Sequence, residues 1–172
     1  VGMLNSISGR PEVRATLQEA SEALGEDVAK LIAEGPAEAL SLTTNTQPVM
    51  LTAAVAFYRA WLAAGGATPK VMAGHSLGEY SALVASGVIS FKDAVPLVRF
   101  RAEAMQTAVP VGTGGMAAIL GLDDATVIKV CAEASAASGG IVEAVNFNSP
   151  GQVVIAGASD AVTKACELLK AA

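Results

Sequence analysis

Apolar and polar positions in this chain change their pattern near residue 110. Before that point the pattern is helical. Residues 11–24 predict a helix with Pro11 in its first turn and Gly25 just past its end. Residues 26–34 predict a shorter helix, stopped by Gly35-Pro36, and residues 47–64 the longest, with Pro48 near its start and Gly65-Gly66 beyond it. The mostly apolar run 67–73 follows that glycine turn and predicts a strand, and residues 79–87 have the composition of a helix with a closing glycine. Ser90-Phe91-Lys92-Asp93 has the form of a capping box and opens another helix toward Val109. Pro96 removes one backbone hydrogen bond there and should kink that helix or delay its start.

Residues 110–115 are rich in glycine and form the best boundary in the chain. Beyond them the pattern predicts a strand at 116–120, a helix at 123–137 and a strand at 141–147. A turn at Asn148-Ser149-Pro150-Gly151, a strand at 152–156 and a helix at 159–171 follow. That order is a split βαβ, ferredoxin-like unit without its last strand. The expected fold class is α/β, with a larger unit over residues 1–110 in which helices surround one predicted strand, and the small α+β unit over 111–172.

Composition narrows the class. Of 172 residues, 52% are hydrophobic and only 4% aromatic, the usage of helices lying close against a buried sheet. The apolar stretch 53–64 is broken by Arg59 and reads as a helix, so no membrane span is expected; the first residues lack the basic-then-apolar pattern of a signal peptide. Net charge is −5 and the eleven Lys and Arg are scattered, which argues against nucleic acid as a partner. Cys131 and Cys166 lie far apart without metal-ligand company, so the expectation is free thiols in a reduced cytoplasm and no metal.

The chemistry concentrates at Gly74-His75-Ser76-Leu77-Gly78, a G-x-S-x-G pattern between a predicted strand and a predicted helix. That context makes a nucleophile elbow, with Ser76 held outward and the helix N-terminus behind it offering N–H groups to a developing oxyanion. Arg101 is the second informative residue. At 100° per residue, Ala94, Val98 and Met105 fall within about 40° of one another with Arg101 beside them on the same stripe, while Arg99 and Glu103 fall on the opposite, solvated side. A cation on an apolar face needs an anion. Either Arg101 makes a buried ion pair with a nearby carboxylate, or its planar fork awaits the carboxylate of a ligand. His75 is the only histidine. Neighbouring side chains on a sharp elbow diverge, so His75 is expected to pack or hydrogen-bond beneath the elbow rather than to serve Ser76 as base.

Taken together, residues 74–80, Arg101 with Met105-Gln106, and Asn146-Phe147-Asn148-Ser149-Pro150-Gly151-Gln152 resemble the malonyl-CoA:acyl-carrier-protein transacylase family of bacterial fatty-acid synthesis. Gln47-Pro48 and the Gly-Thr-Gly before Met116 also fit, and the resemblance runs from Val1 to Ala172. It implies a hydrolase-like α/β domain, an incomplete parallel-sheet domain over residues 1–110, with an inserted ferredoxin-like subdomain and an active site between them. It implies Ser76 as the nucleophile that takes malonyl as an ester, the Leu77 N–H as one oxyanion donor, and Arg101 as the holder of the malonyl carboxylate. Asn146 and Asn148 match the family's strand-turn near the cleft, with a purely structural turn as the alternative. Malonyl-CoA is then a substrate rather than a cofactor, acyl carrier protein is the partner, and a monomer is expected. The family also uses a glutamine loop before this stretch and a histidine after it, so the chain is expected to correspond to an internal part of such an enzyme and to be inactive alone.

Other readings use the same elbow. An acyltransferase domain of a polyketide synthase shares the chemistry. A thioesterase or other serine hydrolase shares the nucleophile, but gains nothing from a buried cation beside it when the acyl group is neutral. A non-enzymatic module with a relic elbow is the third class.

Overall fold

The computed structural model describes residues 1–171. The chain divides into two units, Val1–Ala108 and Val109–Ala172, each with its own buried core.

In the first unit, α1 (Pro11–Leu24), α2 (Val28–Glu34), α3 (Ala37–Ser41), α4 (Thr43–Ala63), α5 (Leu77–Ala85) and α6 (Phe91–Thr107) follow in order. The longest, α4, lies against α1, α3, α5 and α6. It is consequently apolar on more than one side, and Val49, Leu51, Ala53, Val55 and Ala56 are all buried. It begins four residues before the expected start. Thr43-Thr44-Asn45-Thr46 looks like loop by composition, but Thr46 Oγ1 bonds the Leu42 carbonyl at 3.0 Å and Asn45 Nδ2 the Ala39 carbonyl at 3.0 Å, so this polar turn is satisfied from within. The second helix opens at Val28 rather than residue 26, because the Asp27 carboxylate caps the Lys30 N–H at 2.9 Å. Ser90 caps α6 through the Asp93 N–H at 3.1 Å, and the helix starts at Phe91 with no delay despite Pro96.

The strand expected at residues 67–73 does not form. That run has no regular structure, and Val71 is 84% exposed. A β-conformation is held by a ladder and by cross-strand side chains, and no partner strand is present in this unit among the described residues. The parallel sheet expected over residues 1–110 is therefore not seen among them. The one sheet among the described residues is antiparallel and belongs to the second unit.

That unit comprises β1 (Gly114–Leu120), α7 (Asp124–Ser138), β2 (Val142–Ser149), β3 (Gln152–Ala158) and α8 (Ser159–Ala171), with strands in the order β1-β3-β2. Pro150-Gly151 close the hairpin, Gly151 at φ 75° as the second central position of a type II turn requires. Val142, Val153 and Ile155 of the sheet are buried with Val127, Cys131 and Ala134 of α7 and Ala161, Ala165 and Leu169 of α8. Burial pushes the Cys131 thiol up, with the nearby Cys166 and Glu143 adding to it.

Candidate active site

Ser76 sits where chain direction reverses into α5. Its backbone, at φ 53° and ψ −116°, makes it the one non-glycine residue with positive φ among those described. An L-residue there costs of order 1–3 kcal/mol, so the surroundings must enforce it. They do so at Gly74, where a Cβ would lie 1.9 Å from the carbonyl carbon of Gly78. Only a glycine allows the two backbones this approach. The Gly78 N–H then donates to the His75 carbonyl at 2.9 Å and the Glu79 N–H to the Ser76 carbonyl at 3.2 Å. The Leu77 N–H, first in α5, has no partner among the described residues and stands at the positive end of the helix beside the serine.

Arg101, from α6, reaches the elbow. Its Nη2 donates to Ser76 Oγ at 2.9 Å and its Nη1 to Gln47 Oε1 at 2.5 Å, with Cζ 5.8 Å from the centre of the Tyr80 ring. Among the described residues it makes no ion pair; the four present join Arg59 to Glu19, Arg99 to Glu26, Lys129 to Glu133 and Lys164 to Glu167. The guanidinium is thus fixed by neutral acceptors and keeps its charge uncompensated. Its partner Gln47 is only 7% exposed and also donates Nε2 to Met105 Sδ at 3.4 Å. Sequence reading placed Gln47 among the residues of the resemblance but gave it no role. The usable signal was a long polar side chain beginning an otherwise apolar helical face.

The stripe on α6 is rotated from its expected place. Phe91, Ala94, Val95, Val98 and Ala102 are buried, while Met105 is 51% exposed. Arg99, expected on the solvated side, has an 18% exposed side chain and binds Glu26 through both Nη1 and Nη2 at 2.9 and 2.8 Å. Long arginine stems cover apolar surface while their heads find partners, which a helical wheel does not capture. His75 is exposed, and its side chain has no hydrogen bond among the described residues. The expected place beneath the elbow is not taken, because its carbonyl is tied into the turn and its side chain is left outward.

Ser76, Leu77, Arg101 and Gln47 therefore belong to one constellation within the first unit. Asn146 and Asn148 lie on β2 of the second; Asn146 pairs opposite Val154, and irregular register flanks Asn146-Phe147 on both sides. A cavity of about 570 Å³ in that unit, lined by Ile128, Cys131, Glu143 and Phe147 among others, contains none of the first unit's site residues. No cluster of three or more metal-ligating side chains occurs among the described residues.

A strained serine, an open helix N-terminus and an arginine without an ion pair thus stand together at the start of α5. The family model described as acyl transferase domain matches residues 2–172. The chain belongs to the acyl transferase domain family. It is 58% identical over 173 residues to the malonyl CoA-acyl carrier protein transacylase of Escherichia coli strain K12, an alignment covering 100% of this chain and 55% of that protein. The crystal structure of an acyl-carrier-protein S-malonyltransferase from Burkholderia pseudomallei 1710b is similar at 70% identity and a TM-score of 0.95, over 99% of this chain and 55% of that one. A type II polyketide synthase acyl-carrier protein in complex with its malonyl-transacylase provides a further match, at 51% identity and a TM-score of 0.94, over 99% of this chain and 55% of the matched chain. As an acyl transferase domain, the chain spans about half the length of the curated relatives it matches.

Proposed function

We propose that this chain supplies the nucleophile and the acyl-carboxylate site of an enzyme that moves malonyl from CoA to the phosphopantetheine thiol of acyl carrier protein. Ser76 Oγ attacks the thioester carbonyl, the tetrahedral oxyanion is met by the Leu77 N–H, and CoA leaves as the thiol with the proton taken from serine. The carrier thiol then attacks the malonyl-serine ester and Ser76 regains its proton, a ping-pong sequence that calls on no cofactor. Residues 1–110 would be part of a hydrolase-like core and 111–172 a ferredoxin-like insertion, with Asn146 and Asn148 in a supporting role. A cytoplasmic setting suits fatty-acid synthesis, and no helix is long and apolar enough to cross a membrane among the described residues.

The observation that carries this reading is Arg101 Nη2 at 2.9 Å from Ser76 Oγ, with no carboxylate partner of its own. A malonyl ester on Ser76 places its free carboxylate a few bonds from that guanidinium. A neutral acyl ester leaves the charge unanswered, which counts against a thioesterase or esterase. The reaction also needs a base for the serine. The chain offers one histidine, His75, whose exposed side chain makes no contact with Ser76 among the described hydrogen bonds.

Intact mass and peptide mapping after exposure of the full-length protein to malonyl-CoA test the proposal. A single malonyl adduct on the peptide containing Ser76, absent in Ser76→Ala, is the expected result. An adduct that survives in Ser76→Ala removes this serine from the mechanism.

A further inference from the structure

The sheet of the second unit ends at β2, which has β3 on one side and no strand on the other among the described residues. A strand edge of this kind presents unpaired N–H and C=O groups. Here a side chain answers part of it. Ile141 turns its carbonyl inward to the Ala158 N–H at 2.8 Å. Val142 turns both of its backbone groups outward to one hydroxyl: its N–H donates to Ser135 Oγ at 2.9 Å and its carbonyl accepts from that oxygen at 3.1 Å. Ser135, on α7, thus stands where a neighbouring strand would begin. Backbone groups alternate in direction along an antiparallel strand, so Glu143 faces β3 across from Ala156, and Ala144 faces outward as Val142 does. No serine meets Ala144, whose backbone makes no bond outside the sheet among the described residues.

This open donor and acceptor lie in the wall of the cavity of about 570 Å³ between α7 and β2, which Ile128, Cys131, Ile141 and Phe147 make mostly apolar. Ile128 and Phe147 are each about half exposed there. Glu143 also lines the cavity, and no cation pairs with its carboxylate among the described residues. An apolar slot beside an open strand edge suits an extended peptide, whose backbone bonds give affinity and whose side chains give specificity. A purely apolar ligand would fill the slot but leave the Ala144 N–H and C=O unanswered, at a cost. We propose that the groove between α7 and β2 binds a short extended peptide segment by strand addition at Ala144, with an apolar side chain against Ile128 and Phe147 and a lysine or arginine beside Glu143. Ser135 closes the edge at Val142, and the irregular pairing around Asn146-Phe147 interrupts it at the other end, so the segment is short and its register fixed.

Nitrogen–proton NMR titration of the full-length protein with a blocked Val-Lys-Val-Val peptide tests the proposal. Shifts should concentrate at Ala144, Ile128 and Phe147. Copies of the peptide N-methylated at alternate residues lose every second donor and require no change to the protein. In one phase of methylation the Kd should rise roughly five- to tenfold, the weight of one hydrogen bond in an apolar site, and in the other it should stay within about twofold. Replacing the peptide's lysine by glutamate should weaken binding further, and Glu143→Gln should remove the preference for lysine. Equal affinity for the plain and both methylated peptides would mean an apolar pocket without strand addition and overturns the proposal, as does an absence of shifts at Ala144. Sedimentation of the protein alone covers a second copy as the occupant. A monomer at every concentration is expected; dimers that vanish in Ala144→Pro, which removes an outward N–H and no ladder bond, would assign the edge to self-pairing instead.

Discussion

Arg101 and Asp123 show how much a single side chain owes to its neighbours. A cation on an apolar stripe could be read from sequence, but whether it met a carboxylate could not, because Gln47 lies 54 residues away along the chain. Asp123 is the opposite case, wholly local, although the sequence reading made it the first residue of the helix rather than its cap. Its carboxylate caps α7, accepting from the Thr126 N–H at 2.9 Å and from Thr126 Oγ1 at 2.8 Å. Those bonds hold its pKa below the ordinary 3.8, the backbone bond most, because they favour the ionised form. The sign follows directly. The capped carboxylate stabilises the fold above its unfolded pKa, and that contribution disappears as pH falls through the lower folded value. Carboxyl NMR should place the Asp123 midpoint below 3.8, and Thr126→Val should move it part of the way back up, the backbone bond remaining. A midpoint unmoved by loss of the hydroxyl would mean that the side-chain bond has no weight.

At the scale of the element, the elbow is decided by one close approach rather than by two equivalent glycines. A Cβ on Gly74 meets the Gly78 backbone at 1.9 Å, whereas a Cβ on Gly78 meets nothing within 4 Å. Gly74→Ala should therefore force the crossing backbones apart and lower the melting temperature sharply. Gly78→Ala lies inside α5 in ordinary helical space and should stabilise by roughly 0.5–1 kcal/mol through helix propensity. Thermal unfolding of the two variants checks this, and equal losses would contradict it. The helices were legible because caps and 3.6-residue spacing are written locally; Ser90 and the Pro11 start are examples. Residues 67–73 were not, because a strand depends on a neighbour and none is present in this unit among the described residues. In the second unit the three strands were legible for the same reason turned around, since β3 finds partners on both sides within some forty residues of chain.

For the molecule as a whole, each unit is stabilised by its own apolar cluster, and the candidate chemistry described here is carried by the first. That cluster must hold Ser76 at φ 53°, so stability and chemistry draw on the same residues. The usual rule that glycine weakens a fold relative to alanine should invert at this one position. Ser76→Gly and Ser76→Ala both delete the hydroxyl, but only alanine retains the Cβ that conflicts with the left-handed backbone. Chemical denaturation should rank Ser76→Gly above Ser76→Ala by about 1 kcal/mol; the reverse order would mean that the turn carries no strain. A lineage of such proteins, sorted only for endurance, would drift toward glycine at position 76 and lose the proposed nucleophile. Persistence of serine there would then record selection for turnover, legible as the one place where the chain keeps the less comfortable residue.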